Sequence, residues 1–339
     1  MPIHQTLPQA HDLIVRTLTR CNTAPANAAA VARALVAAEQ AGQGGHGLRR
    51  LPSYAAQARS GKVKGHAKPT ASQARPGVLS IDAQDGFAYP AIELGLDWLE
   101  GAARTQGIAV AAITRSHHCG VAGVTVGALA ERGLVGLMFA NTPAAMAPWG
   151  GRTPLFGTNP IAFAVPRQGT RAPVVIDVSL SKVARGKIMA AQQRGQPIPE
   201  GWALDADGEA TTDPTAALRG TMIPMGEAKG TALALMVEML AAGLVGARFG
   251  HEASSFFTAD GPPPGVGQLI IAIDPAAFGN GNAARFERLA QAVETEPGAR
   301  LPGTRRDTLR AEVAAAGIWI DDDLLAEIDA VTAEPCHGN

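Results

Sequence analysis

Apolar residues recur at helical spacing over the first sixty positions of the chain. Residues 8–20 and 25–41 are rich in alanine, leucine and valine, and both segments are predicted to be helices. A third helix is predicted over residues 52–60, where Gly61 ends it. The chain therefore begins with a group of helices.

Beyond residue 77 the pattern changes to short apolar runs alternating with longer helical segments. Residues 64–77 are a connection rich in glycine, proline and lysine, which indicates a domain boundary. The predicted strands are 78–82, 108–113, 134–140, 161–165, 174–178 and 268–273. The predicted helices are 90–105, 121–131, 181–193, 229–244, 283–295, 307–315 and 322–331.

The order of these elements predicts a mixed α/β protein. We expect residues 1–70 and 281–339 to be helical and residues 71–280 to form a mixed α/β domain that binds cofactor and substrate. The helices at the two ends are expected to pack on one another, because chain ends often lie close together.

Charge and cysteine content narrow the class of partner. The 339 residues carry 29 basic and 30 acidic side chains, so neither a nucleic-acid groove nor a polybasic membrane anchor is expected. The three cysteines include no C-x-x-C pair, which favours a reducing, cytoplasmic compartment and no structural metal. The most apolar stretch, residues 230–250, contains Glu238 and is predicted to be a buried helix rather than a membrane span.

Residues 42–47 match the dinucleotide fingerprint G-x-G-x-x-G, but their context is wrong. A predicted helix precedes them instead of a strand, and no acidic residue occurs between Glu39 and Asp82 to hold a ribose. Gly279-Asn280-Gly281 also reads as a turn. A Rossmann fold is therefore not expected, and any dinucleotide must be bound in another way.

The first cluster with chemical potential is His46-Gly47-Leu48-Arg49-Arg50. A histidine among glycines is accessible, and its ordinary pKa near 6.5 suits proton transfer at neutral pH. Arg50 could bind a carboxylate through two parallel hydrogen bonds. A surface turn with a solvated arginine is an equally good interpretation of this cluster taken alone.

The second cluster, residues 115–123, follows a predicted strand and begins a predicted helix. Free N–H groups at a helix N-terminus bind anions such as phosphate. The adjacent histidines His117 and His118 lack the i, i+4 spacing of a helical metal pair, so a zinc site is not expected.

The third cluster contains Thr158 in a Gly/Asn/Pro turn, Asp177 at the end of a strand and Lys229 at the start of the long apolar helix. A strand end is a common place for ligand contacts in α/β proteins. A cation at a helix N-terminus is electrostatically unfavourable, so a nearby anion would explain Lys229. Structural turns and exposed lysines are the plainer alternatives.

These clusters, in this order, resemble the type 2 malate/L-lactate dehydrogenase family, and the similarity covers most of the chain. The resembling segments are GHGLRRLPSYAAQARSGKV (45–63), SHHCGVAG (116–123), NTPAAMAPWGGRTPLFGTNPIAFAVP (141–166), IDVSLSKVARGKI (176–188), PIPEGWALDADGEATTDP (197–214) and PMGEAKG (224–230). The segments EASSFF (252–257) and GPPPGVGQLIIAIDP (261–275) look most like the sulfolactate dehydrogenase branch.

The resemblance implies an NAD(P)H-dependent enzyme that interconverts a small anionic 2-oxo acid and its 2-hydroxy acid. It implies a non-Rossmann mixed sheet, a helical domain built from both chain ends, and a homodimer. By this resemblance, His46 is the general acid/base, His118 is a second candidate proton acceptor, and Arg50 and Thr158 bind substrate. Residues implied to hold the cofactor are His118, Cys119, Gly120, Val121, Ala122, Ile176, Asp177, Val178, Lys229, Gly303, Thr304 and Arg305.

One position departs from the family pattern. Gly45 stands where members usually have a serine that, in the cyclic imine reductases of the family, relays protons with the histidine. This disfavours the alternative activity, reduction of Δ1-pyrroline- or Δ1-piperideine-2-carboxylate, and leaves Ser116 or a water to orient His46. A catalytically weakened relative that acts as a binding or regulatory protein is the third hypothesis.

Overall fold

The computed structural model describes residues 2–333, so Cys336 lies outside the described part of the chain. The strands are β1 (Ile3–Gln5), β2 (Thr70–Arg75), β3 (Val78–Asp82), β4 (Ile108–Ser116), β5 (Val135–Ala140), β6 (Ile161–Val165), β7 (Val174–Val178), β8 (Ala203–Leu204), β9 (Ala210–Thr211), β10 (Thr221–Met222), β11 (Val266–Ile273) and β12 (Ile318–Ile320). The helices are α1 (Leu7–Arg20), α2 (Pro25–Gln40), α3 (Leu51–Arg59), α4 (Ala88–Gln106), α5 (Ala122–Glu131), α6 (Arg185–Gln193), α7 (Pro214–Arg219), α8 (Ala228–Glu238), α9 (Asn282–Thr295), α10 (Thr304–Ala316) and α11 (Asp322–Ala333).

Seven strands form one mixed sheet in the order β2-β3-β4-β11-β5-β6-β7. Only β3 and β4 pair in parallel, and every other neighbouring pair in this sheet is antiparallel. The late strand β11 lies between β4 and β5, where a Rossmann sheet would have parallel strands joined by helices. The predicted mixed sheet without a Rossmann order is thus confirmed.

The sheet is covered by two different apolar clusters. Helices α4 and α5 pack against one face around Leu99, Ile113 and Leu129. The other cluster joins α8, α6 and the small β10-β8-β9 sheet to side chains such as Leu269. Strands buried on both faces explain why β5 and β11 are nearly continuous apolar runs.

A separate helical core combines both ends of the described chain. Its fully buried residues include Ile14 of α1 and Leu35 of α2, together with Ile320 and Ile328 near the C-terminus. Strands β1 and β12 pair antiparallel, with Ile3 opposite Ile320, and tie the two ends together. The predicted helical unit from both termini is confirmed, whereas the boundaries at residues 70 and 281 stay a prediction.

Several short elements were not predicted. Strand β2 lies inside the predicted connection. The sequence does not indicate it, because all six of its residues are exposed and they show no apolar alternation. Helix α6 begins at Arg185 rather than at residue 181, since Ser181 instead bridges to Pro224. Among residues 2–333, no helix is long and apolar enough to cross a membrane.

Candidate active site

The turn between α2 and α3 presents His46 and Arg50 on consecutive single turns of 3-10 helix. The carboxylate of Glu39, at the end of α2, accepts a hydrogen bond from the Leu48 N–H at 2.7 Å. A Cβ atom at Gly47 would lie 2.2 Å from Glu39 Oε1. Glycine at this position therefore allows the carboxylate to reach the turn and fix its path.

His46 and His118 form a contact pair although they are far apart in sequence. His46 Nδ1 lies 3.1 Å from His118 Nε2, and the two rings stack with centroids 5.1 Å apart at an interplanar angle of 11°. His118 lies between the end of β4 and the start of α5. The sheet domain therefore supplies one histidine, and the helical unit supplies the other. The two predicted catalytic residues are thus brought together.

Two tyrosines extend this pair into a buried chain of hydrogen bonds. Tyr54 Oη of α3 is 2.5 Å from His118 Nδ1 and 3.0 Å from Tyr89 Oη of α4. These are the only two tyrosines of the chain, a signal that the sequence interpretation missed. Because both ring nitrogens of His118 have partners, its orientation is fixed, and Nε2 of His46 is left for a ligand.

Burial keeps the three histidines of the site neutral. It lowers the pKa of His46 to about 4 and that of His117 to about 3, with the positive charge of Arg50 acting in the same direction. The pKa of His118 lies well below its usual value for the same reasons. At neutral pH, His46 is therefore available as a base.

Arg50 is held close to the histidine pair by two contacts. Its Nε donates to the Gly45 carbonyl at 2.9 Å, and its guanidinium carbon lies 4.6 Å from the centre of the Phe257 ring. These contacts occupy Nε and one face of the group. The geometry is compatible with a carboxylate bound by the outer guanidinium nitrogens.

The structure suggests which residue orients His46 in place of the usual serine. The partner of His46 Nδ1 is His118. Ser116 Oγ is buried and has no hydrogen-bond partner within the described residues, so it does not take this role. A Cβ atom at Gly45 would meet no atom within 4 Å, which means that there is room for a serine.

A cleft of about 160 Å³ opens beside the segment that carries His118. Val121 and Gly123 of this segment line it together with Val175, Gly303 and Arg306. The cleft lies between α5, β7 and the N-terminus of α10. Arg306, rather than the predicted Arg305, lines the cleft, since Arg305 is exposed on the surface.

Asp177 connects β7 to the start of α5. Its carboxylate accepts the Gly123 N–H at 2.9 Å, and Arg306 Nη1 lies 3.9 Å from the same carboxylate oxygen. Burial raises the pKa of Asp177, while the Gly123 N–H and Arg306 oppose this shift. Arg306 Nη1 is buried without a hydrogen-bond partner in residues 2–333, so it could donate a hydrogen bond to a bound anion.

The other predicted cofactor residues do not line this cleft, and their surroundings differ. Burial raises the pKa of the Cys119 thiol to about 12, so it is neutral and not a nucleophile. A Cβ atom at Gly120 would lie 2.9 Å from Tyr89 Oη. Ala122 is buried at the first position of α5, Ile176 and Val178 are partly exposed on β7, and the Thr304 hydroxyl donates to the Leu301 carbonyl.

Thr158 and Lys229 belong to a neighbouring group of loops. The Thr158 N–H donates to Thr142 Oγ1 at 2.9 Å, and the Thr158 carbonyl accepts from the Leu180 N–H at 2.8 Å. Leu180 in turn accepts from Met225, just before α8, where Lys229 is exposed in the first turn. The contacts shown for Thr158 are with this group, not with the histidine pair.

The buried carboxylate of Glu238 holds this group together, and the sequence interpretation assigned it no function. Its Oε1 lies 3.0 Å from Asn159 Nδ2 and 3.5 Å from the Gly157 N–H. Its Oε2 lies 3.1 Å from the Gly250 N–H and 3.3 Å from Asn141 Nδ2. A single π-helical turn, Met239–Gly243, follows it directly, and such turns are frequent at functional sites.

A family model described as malate/L-lactate dehydrogenase matches residues 6–329. The chain belongs to the malate/L-lactate dehydrogenase family. This confirms the family and the oxidoreductase class predicted from the sequence.

Individual members of the malate/L-lactate dehydrogenase family are similar over nearly the whole chain. A (2R)-3-sulfolactate dehydrogenase (NADP(+)) of Chromohalobacter salexigens is 53% identical over 307 residues, which are 91% of this chain and 92% of the relative. A Δ1-pyrroline-2-carboxylate/Δ1-piperideine-2-carboxylate reductase of Pseudomonas aeruginosa is 43% identical, covering 97% of this chain and 99% of the relative. The crystal structure of Δ1-piperideine-2-carboxylate reductase from Pseudomonas syringae matches with a TM-score of 0.91 and 38% identity, covering 97% of this chain and 99% of the other.

Within the described residues, no group of three or more histidine, cysteine or acidic side chains is arranged to hold a metal ion.

Proposed function

We propose that this protein interconverts a small 2-hydroxy acid and its 2-oxo acid, with the 3-sulfolactate pair as the preferred class and NADPH as the cofactor. The observation that carries this proposal is the His46–His118 pair at 3.1 Å, with Arg50 held on the next turn of 3-10 helix. The similarity to the sulfolactate dehydrogenase of Chromohalobacter salexigens supports the substrate class.

The side chains divide the chemistry between binding and proton transfer. Arg50 binds the substrate carboxylate, and His46 faces the oxygen on C2 through Nε2. In oxidation, neutral His46 takes the hydroxyl proton, because its low pKa leaves it unprotonated. In reduction, protonated His46 returns the proton, and the negative charge of the bound carboxylate favours that form.

His118 serves in this proposal as the residue that orients His46. A hydrogen bond to Nδ1 fixes the imidazole so that Nε2 points at the reacting oxygen. The hydroxyl of Tyr54 on the opposite side of His118 completes the alignment. Thr158, held by Thr142, is the proposed contact to the remainder of the substrate.

The cleft beside α5 fits part of a dinucleotide. Its small lining residues leave room for a flat ring, and the buried Nη1 of Arg306 has no hydrogen-bond partner among the described residues. In this proposal Val121, Gly123, Gly303 and Arg306 hold the nucleotide and its phosphates, and Ile176, Val178 and Lys229 extend the site. When bound, the nicotinamide supplies or accepts the hydride at substrate C2.

Reduction of cyclic imino acids is the second candidate. The similarity to the Pseudomonas reductases over 97% of the chain favours it. Gly45 argues against it, since a glycine at this position supplies no hydroxyl for a proton relay with His46.

A homodimer is proposed on the basis of an uncovered apolar surface. Helix α8 and the π-helical turn after it expose Leu233, Leu235, Met236 and Met239, and Leu244 follows at 70% exposure. A concentration of exposed apolar side chains of this kind marks an interaction surface. A second copy of the chain is the proposed occupant, and gel filtration with light scattering on Met239→Lys tests it.

A cytoplasmic location is proposed on the state of Cys119. This cysteine is buried and is not in a disulfide. A buried thiol outside a disulfide is typical of a reducing compartment.

An initial-rate screen at 340 nm tests the function. Purified protein is incubated with NADH or NADPH and pyruvate, oxaloacetate, 3-sulfopyruvate, Δ1-pyrroline-2-carboxylate or Δ1-piperideine-2-carboxylate. The proposal expects turnover of a 2-oxo acid, fastest with 3-sulfopyruvate and NADPH, and its loss by about 100-fold or more in His46→Asn. Preference for the imines would establish the second candidate, and near-native turnover by His46→Asn would refute the role of His46.

A further inference from the structure

A short aromatic loop contacts both halves of the candidate active site. It contains residues 252–260, between the end of α8 and β11, and includes the EASSFF segment that the sequence singled out. Phe256 is 5% exposed and Phe257 is 38% exposed, so the two adjacent rings have different surroundings.

Phe256 packs on the histidines. Its ring centroid lies 5.2 Å from that of His117 and 5.2 Å from that of His118, the latter in an edge-to-face arrangement. His118 therefore has Phe256 and His46 as ring neighbours and Tyr54 as a hydrogen-bond partner. Removing the Phe256 ring would let His118 tilt and would disturb the alignment of His46.

Phe257 packs on the arginine. Arg50 lies over its ring at 4.6 Å, within the range of a cation–π contact. This contact and the bond to the Gly45 carbonyl restrict a long and otherwise flexible side chain. A preorganised guanidinium loses less conformational entropy when it binds a carboxylate.

The loop is anchored to α3 and the residues just after it. Lys62 is 3% exposed, and its ammonium donates to the carbonyls of Ser255, Thr258 and Asp260 at 2.7, 3.0 and 2.8 Å. Gln57 Nε2 donates to the Phe256 carbonyl at 2.8 Å, which fixes the backbone between the two rings. The element that carries Tyr54 thus also determines where the aromatic pair lies.

We propose that Phe256 and Phe257 are two positioning residues with separate tasks, Phe256 aligning the proton-transfer histidines and Phe257 preorganising Arg50 for the substrate carboxylate. Lys62 positions both by holding the loop. The inference rests on the proposed function, because it assigns Arg50 to the carboxylate and His46 to the proton.

Single substitutions separate the two tasks. Phe257→Leu is expected to raise KM for the 2-oxo acid about tenfold while leaving kcat and the KM for NADPH within about twofold. Phe256→Leu is expected to lower kcat about tenfold with a smaller change in KM. Lys62→Met is expected to alter both constants. Phe257→Trp keeps an aromatic ring beside Arg50 and is expected to retain the wild-type KM.

The matched control is Phe278→Leu, which removes an equally large ring that is 72% exposed in the turn after β11. It is expected to leave both constants unchanged. Thermal unfolding of each variant establishes that it is folded. If Phe256→Leu and Phe257→Leu change KM and kcat in the same proportion, the loop is only structural and the inference is overturned.

A binding measurement separates this inference from the proposed function. Titration calorimetry with oxalate reports the carboxylate site without turnover. About tenfold weaker binding by Phe257→Leu than by wild type supports the inference even if no 2-oxo acid is reduced, whereas equal binding by the two proteins overturns it. Absence of turnover by wild-type protein on every acid would refute the proposed function alone.

Discussion

Acidification should destabilise this protein between pH 7 and pH 5 because His117 is buried in a form that cannot take up a proton. Its ring is 1% exposed, Nε2 bonds to Gln57 Oε1 at 2.8 Å, and the rings of Tyr54, Phe87 and Phe256 surround it. Burial lowers its pKa to about 3, from an ordinary value of 6.5 in the unfolded chain. As the pH falls below 6.5, the histidine binds a proton in the unfolded state but not in the native state. The free energy of unfolding therefore decreases.

The size of the effect follows from the two pKa values. At pH 5, about 1.5 units below the pKa of the unfolded histidine, protonation stabilises the unfolded state by about 2 kcal/mol. Each pH unit contributes about 1.4 kcal/mol. His118 and His46 shift in the same direction and add to the loss of stability, His46 less because it is only half-buried. An effect of about 2 kcal/mol is already a considerable part of the ~5–15 kcal/mol that stabilises a typical domain.

Urea unfolding at pH 8, 7, 6 and 5 measures this, with His117→Gln as the test variant. The variant should be less stable than wild type at pH 8, because a well-packed ring is lost. Its stability should nevertheless fall by about 2 kcal/mol less than that of wild type between pH 8 and pH 5. His66→Gln, which changes an exposed histidine, is the control and should follow the wild-type profile. Parallel profiles for wild type and His117→Gln would refute the reasoning.

Three further predictions concern the site and its supports. Glu238→Gln should lower the free energy of unfolding in urea by about 2–4 kcal/mol. Both carboxylate oxygens accept N–H groups, so the amide nitrogen of a glutamine would face donors. A loss below about 1 kcal/mol would contradict this. Gly45→Ser should change the free energy of unfolding by less than about 0.5 kcal/mol, since its Cβ meets no atom within 4 Å. It should also raise the rate on cyclic imines relative to the rate on 2-oxo acids. An unchanged ratio of the two rates would mean that the serine is not decisive. Arg306→Gln should raise the KM for NADPH about tenfold and leave the KM for the 2-oxo acid unchanged; an unchanged NADPH constant would remove Arg306 from the cofactor site.

The main elements could be predicted because their apolar periodicity is strong. Helices α1 and α2 and strands β3, β6 and β7 lie where the pattern placed them, within a residue or two. Strands β1 and β12 could not be found in the same way. Each has three residues, and their pairing joins positions more than 300 residues apart, so no local signal predicts it.

The sequence singled out residues of the candidate site but did not indicate the connections between them. His46 and His118 were singled out individually, yet the sequence did not indicate that one would bond to the other. The tyrosines were missed because a buried Tyr54 in a helix is indistinguishable from core packing until its partner is known. The resemblance implies Arg305 as a cofactor residue, whereas Arg306 lines the cleft, because sequence does not tell which neighbour on a helix faces it.

The position of β11 in the sheet has a consequence for biosynthesis. Strands β4 and β5 leave the ribosome more than a hundred residues before β11, and both form their ladder with it. Until residue 273 has emerged, each presents an unpaired apolar edge to the cell, and such edges are sites of aggregation. The helical core can be completed only later, because it includes Ile320 and Ile328. Folding of this protein is therefore expected to be completed only after synthesis of nearly the whole chain. Chaperones that hold unfolded chains are expected to bind it during translation.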